Sequence, residues 1–167
     1  MKTIQLTPKV VGTRVYDNTP VTITDPGYTS DQSHGIISGI QIKPGEYTCV
    51  AWKGRYRYAI DGKQHSETRI MMAGIYLDGK IPSAAEAEKM IEIGKFGVDA
   101  GMAGIFQNKP DLDSDEEWFG YCDAMNKHGH LISDFGFATN SGFGDGYYTA
   151  FAMKTESEEI TAIELRF

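Results

Sequence analysis

Only two cysteines occur in 167 residues, Cys49 and Cys122, far apart and each among apolar neighbours. That excludes a disulfide framework and reads as two buried free thiols. No apolar run nears the roughly 20 residues that cross a bilayer as a helix, and the opening MKTIQLTPKVVG lacks the apolar stretch of a secretory leader. A soluble, cytoplasmic protein without a membrane partner is expected. Basic charge is also scarce: 16 Lys and Arg stand against 23 Asp and Glu, a net charge of −7. Such a chain lacks the field that gathers nucleic acid.

Reactive motifs are missing as well. There is no GxSxG elbow, no HExxH and no Walker loop. The run from Asp111 to Glu117 begins like a calcium loop, but its sixth and twelfth positions hold Glu116 and Cys122 where Gly and Glu belong. His128-Gly-His130 has no further Cys or His at metal-ligand spacing. No catalytic residue, metal or cofactor is assigned, and an enzyme working through Asp99 and Asp145 ranks last among the readings.

Glycine, by contrast, is abundant at 19 residues, which favours tight turns and a sheet-rich fold. Short β-type runs cover 2–6, 10–16, 20–24, 36–42, 46–52, 55–60 and 69–77. Turn signals such as Asp25-Pro26-Gly27, Pro44-Gly45, Asp61-Gly62 and Asp78-Gly79 end several of them. Further strands fall at 131–138, 146–153 and 159–167. Two capping boxes, Ser83 to Glu86 and Ser114 to Glu117, open helices at 83–92 and 114–128. The second carries an apolar stripe of Trp118, Tyr121, Cys122 and Met125 and should bury Trp118, Cys122 and Met125. The expectation is one α+β domain over 1–167: a predominantly antiparallel β sandwich or barrel-like sheet with two short helices.

Two stretches bear on function. In "NSGFGDGYYTAF" (140–151) glycines alternate with Phe143 and Asp145. A phosphate loop would open onto a helix and carry a lysine; this one runs into Tyr147 and Tyr148 with strand character. It reads as a turn needing positive φ, with Asp145 bonding its own backbone. In "KGRYRY" (53–58) strand alternation puts Lys53, Arg55 and Arg57 on one face and Trp52, Gly54, Tyr56 and Tyr58 on the other. Three cations in a row are either a solvated strand face or a grip for phosphate or carboxylate.

The segments "VTITDPGY", "GKFGVDAGMAGIF", "SGFGDGYYTAFAM" and "ITAIELRF" fall in an order that resembles a bacterial and phage-encoded family of unknown function. That family shows a D-P-x-Y turn, a V-D-[AS]-G segment, an S-G-x-G-D-G-x-Y turn and a closing acidic-apolar strand. Gly27 stands where the family more often has cysteine. The resemblance covers most of the chain from residue 21 and marks Asp25, Tyr28, Asp99, Gly101, Asp145, Gly146 and Tyr147. It implies a compact β-rich domain and no activity. The leading functional expectation is a non-enzymatic binding protein for a small, nucleotide-like anion. Its candidate residues are Lys53, Arg55, Arg57 and Arg69 with Trp52, Asp145, Tyr147 and Tyr148. The alternative is an immunity- or inhibitor-type module whose acidic surface meets a basic protein, and a homo-oligomer is a further option.

Overall fold

A computed structural model describes residues 5–167. The chain runs β1 (Leu6–Tyr16), β2 (Val21–Thr24), β3 (Ile37–Ile40), β4 (Gly45–Ile60), β5 (Lys63–Leu77), α1 (Ala84–Ala87), β6 (Ile91–Val98), β7 (Met102–Phe106), α2 (Asp115–Asn126), β8 (His130–Ser133), β9 (Gly136–Asn140), β10 (Gly146–Lys154) and β11 (Ile160–Arg166). Six strands form one sheet in the order β1-β4-β5-β11-β10-β6, and five form a second, β3-β2-β7-β9-β8. Every strand ladder is antiparallel. The two sheets pack face to face and do not close into a barrel, so the α+β expectation holds in its sandwich form. No helix among the described residues is long and apolar enough to cross a membrane.

Alternation explains the layers. Tyr47 and Cys49 of β4, Ile75 of β5 and Ile163 and Leu165 of β11 point inward, against Ile23, Ile105 and Phe137 of the second sheet. The intervening residues Val50, Tyr76 and Ala162 face outward, where the segment with α1 and Met90 covers them. On the far side, α2 lays Tyr121 and Met125 over Met102, Phe106 and Ala138. Gly74 shows how local the fitting is. A Cβ there would lie 2.2 Å from the Tyr76 hydroxyl. Its absence lets that hydroxyl donate to buried Glu164 (3.0 Å) while accepting from Trp52 Nε1 (2.9 Å). Glu164 also pairs with Arg166 at 2.7 Å.

Several element boundaries differ from the sequence reading. The expected strand at 2–6 lies mostly outside the described residues, and β1 starts at Leu6. The first helix stops after Ala87 because the chain from Ile91 pairs with β10 as β6. β6 and β7 were not expected; their glycines interrupt the alternation. The runs 46–52 and 55–60 are one continuous strand, β4, and β5 is likewise longer than 69–77. The strand expected at 131–138 is a hairpin, β8 and β9. On α2, Met125 is buried as expected, but Trp118 and Cys122 are only half-buried. Cys49 is fully buried, its thiol pushed up to about 12 chiefly by burial.

Candidate functional site

β4 and β5 outrun their neighbours. β1 pairs with β4 as far as Gly54, and β11 pairs with β5 from Met72 onward. The remaining hairpin, paired from Arg55–Thr68 to Ile60–Lys63, stands out as a two-stranded arm. At its base a cleft of about 660 Å³ opens. Lys53, Thr68 and Arg69 form one wall, and the 142–144 loop the other, with His128 and Asn140 contributing between them.

The glycine loop is built for close approach. Gly142 has φ +71°, and a Cβ there would fall 1.8 Å from the Ile70 carbonyl oxygen, so the loop backbone lies directly on β5. Gly144 has φ +84° and open space around it. The positive-φ turn is as expected, but Asp145 does not bond its own backbone; its carboxylate accepts the Gly101 N–H at 3.1 Å. Ser141 Oγ (2.6 Å) and Tyr148 Oη (2.8 Å) both donate to the Gly144 carbonyl and fix the loop from behind.

Arg69 is held over the loop. Its guanidinium pairs with Glu67, lies 4.6 Å from the Tyr56 ring centroid and 5.4 Å from that of Phe143, and so joins the arm to the loop. Tyr56 meets Phe143 edge-on at 5.3 Å. Lys53 has no ion-pair or hydrogen-bond partner among the described residues. His130 stacks beside His128 at 5.7 Å, and its Nε2 is buried without a partner. Burial first, then the nearby Lys9, His128 and Lys53, hold its pKa below the ordinary histidine value. Glu67 is the one carboxylate among the residues lining the cleft, and it is paired with Arg69.

The other expected residues are dispersed. Arg55 lies out on the arm, donating to Ser66 Oγ, and Arg57 is exposed beyond it. Trp52 belongs to the Tyr76–Glu164 network on the outer sheet face. Tyr147 is 69% exposed beside Gly97, away from the cleft. Sequence reasoning did not place His128, Asn140 or Gly101 at the site. In the sequence His128 stands out only as half of an HGH pair, and Asn140 carries no local signal.

The remaining marked positions meet elsewhere. Buried Asp25 accepts N–H bonds from Gly27, Asp99 and Ala100 at 2.6–2.7 Å. Burial still pushes its carboxyl above the ordinary range. Tyr28 donates to Asp99 at 2.8 Å. Lys109 closes the same turn by donating to the carbonyls of Pro26, Tyr28 and Pro110. Asp99 and Asp145 thus flank the Gly101 turn, each already bonded to a neighbour. Compared with known protein families, curated proteins and solved structures, the chain finds no match.

Proposed function

We propose that the protein is a non-enzymatic binding protein for a small phosphate-bearing anion of nucleotide type, seated in the cleft between the arm base and the glycine loop. One observation carries this reading: the fold gathers Lys53, His128 and the Glu67-paired Arg69 around a cleft walled on one side by glycine backbone, in a chain of net charge −7. Lys53 supplies an uncommitted ammonium. Arg69 is pre-positioned by Glu67 and two aromatic rings, so little side-chain entropy is lost when an anion arrives. Phe143, which lines the cleft and is 38% exposed, offers a ring to a base. Arg55 and Arg57, further along the arm, add long-range attraction.

Calorimetry of the wild type against mono- and cyclic nucleotides tests the reading. Binding that weakens with added salt is expected, with at least a tenfold loss in Lys53→Ala and an unchanged melting temperature. No heat from any nucleotide would count against it, and so would full binding by both Lys53→Ala and Arg69→Ala.

A further inference from the structure

The arm beyond the cleft has bare edges and an unusual charge. Residues 53–69 hold five cations (Lys53, Arg55, Arg57, Lys63 and Arg69) against Asp61 and Glu67, a net +3. Since the whole chain is −7, the rest carries −10. Neither Arg57 nor Lys63 has an ion-pair partner among the described residues. The aromatic rings of the arm form a flat stack, with Tyr56 on Tyr58 at 5.7 Å and Tyr58 on His65 at 5.5 Å. Ile60, at the tip, is 53% exposed.

A surface of opposite character lies at the start of α2. Asp113, Asp115 and Glu116 are exposed there and likewise have no ion-pair partner among the described residues. Phe119 beside them is 60% exposed. Next to this acidic edge is a hollow of about 460 Å³ lined by Asp99, Trp118, Leu112 and Tyr28, with Asp25 at its floor. A carboxylate next to an indole face is a setting that receives a guanidinium or ammonium.

We infer that the arm docks onto a second copy of this chain, its Arg57 and Lys63 meeting the Asp99–Trp118 hollow and the acidic edge of α2 on that copy. Charge complementarity selects this occupant. The unpaired cations and the unpaired acids sit on different surfaces of one chain, and reciprocal exchange between two copies pairs both sets at once. A two-fold arrangement satisfies both arms and closes the assembly. The surfaces are exposed, so attraction steers association more than it deepens affinity, and salt opposes it. This inference goes beyond the ligand reading and does not depend on Lys53.

Sedimentation of the full chain tests it. The wild type is expected to be dimeric at low ionic strength, about 0.02 M, and to dissociate toward monomer near about 0.5 M, where the screening length falls to a few ångströms. Arg57→Glu with Lys63→Glu should be monomeric at low salt, and so should Asp113→Lys with Asp115→Lys. An equimolar mixture of the two variants should restore the dimer, because each reversed arm then faces a reversed α2 edge. A wild type that stays monomeric at low salt overturns the inference. Dimers unchanged by either double variant also overturn it. A monomer whose arm instead retards a single-stranded oligonucleotide, with loss in the arm variant, overturns it in favour of nucleic acid. If a variant fails to fold, the salt response of the wild type still decides.

Discussion

The Asp25 turn cluster and the arm-base cleft are both rich in polar side chains drawn from distant parts of the sequence, yet they use them in opposite ways. Around Asp25 the polar groups answer one another. Three N–H groups meet one carboxylate, Tyr28 meets Asp99, Lys109 caps three carbonyls, and Asp145 holds Gly101. Those bonds tie the loop after β2 to the β6–β7 turn, and that turn to the loop before β10, linking the two sheets. At the cleft, Lys53 is unanswered and the glycine backbone lies open to one side. A satisfied, acidic network stabilises and repels an anion; an unanswered cation facing solvent is available to one. Sharing a turn signature therefore does not make Asp25, Asp99 and Asp145 a catalytic set.

The sharpest way to break this contrast is to remove Asp25. Asp25→Ala leaves three amide donors without an acceptor and should cost about 4 kcal/mol, read from denaturant unfolding, at about 1–3 kcal/mol for each lost partner. A loss under about 1 kcal/mol would mean that the cluster does not hold the sheets together. The pH response of the same carboxylate adds a check. Its folded pKa is raised, so the folded state holds the proton more tightly than the unfolded chain does. Its contribution to stability is thus full below the ordinary carboxylate value and is lost as pH rises through the raised folded value. Asp111 runs the other way. Bonds from Ser30 hold its carboxyl below the ordinary range, so its contribution is present above the unfolded value and lost as pH falls through the folded one. The stability difference between wild type and Asp25→Asn should therefore shrink on going from acid toward neutral pH.

The glycine loop gives the next effect. Gly142→Ala drives a methyl into the Ile70 carbonyl at positive φ and should cost about 3 kcal/mol, whereas Gly144→Ala meets open space and should cost about 1 kcal/mol from φ alone. Equal losses would show that the loop does not rest on β5. The smallest effect belongs to the arm. Arg55→Ala with Arg57→Ala, compared at about 0.5 M salt where the arm is free of a second copy, should shift stability by less than about 0.5 kcal/mol, as exposed charges do. A larger loss there would mean that the arm is packed within its own chain.

Much of the sandwich is legible in the sequence because strand alternation and turn residues are local signals. Val21-Thr-Ile-Thr24 followed by Asp25-Pro26-Gly27 announces its strand and its end. β6 and β7 are not announced: Gly94, Gly97 and Gly104 break the period, and their pairing with β10 and β9 is a long-range fact. α1 looked longer because its capping box is strong, while what ends it is the pairing of Ile91. For the site, the cations at 53–57 were visible, but which of them face a cleft depends on where β1 stops covering β4 and on Gly142 lying against Ile70. Trp52 carried the same aromatic signal as Tyr56, and only its partner Tyr76 reveals that it serves the outer sheet face.

The contrast between the two regions is tested most directly by following backbone amide resonances during titration with a mononucleotide. The account predicts saturable shifts at Lys53, Thr68, Arg69, His128 and Gly142 to Gly144, with Gly27, Asp99 and Ala100 unmoved. Shifts centred on Asp25, Asp99 and Tyr28 with a silent glycine loop, or no shifts at any concentration, would contradict it.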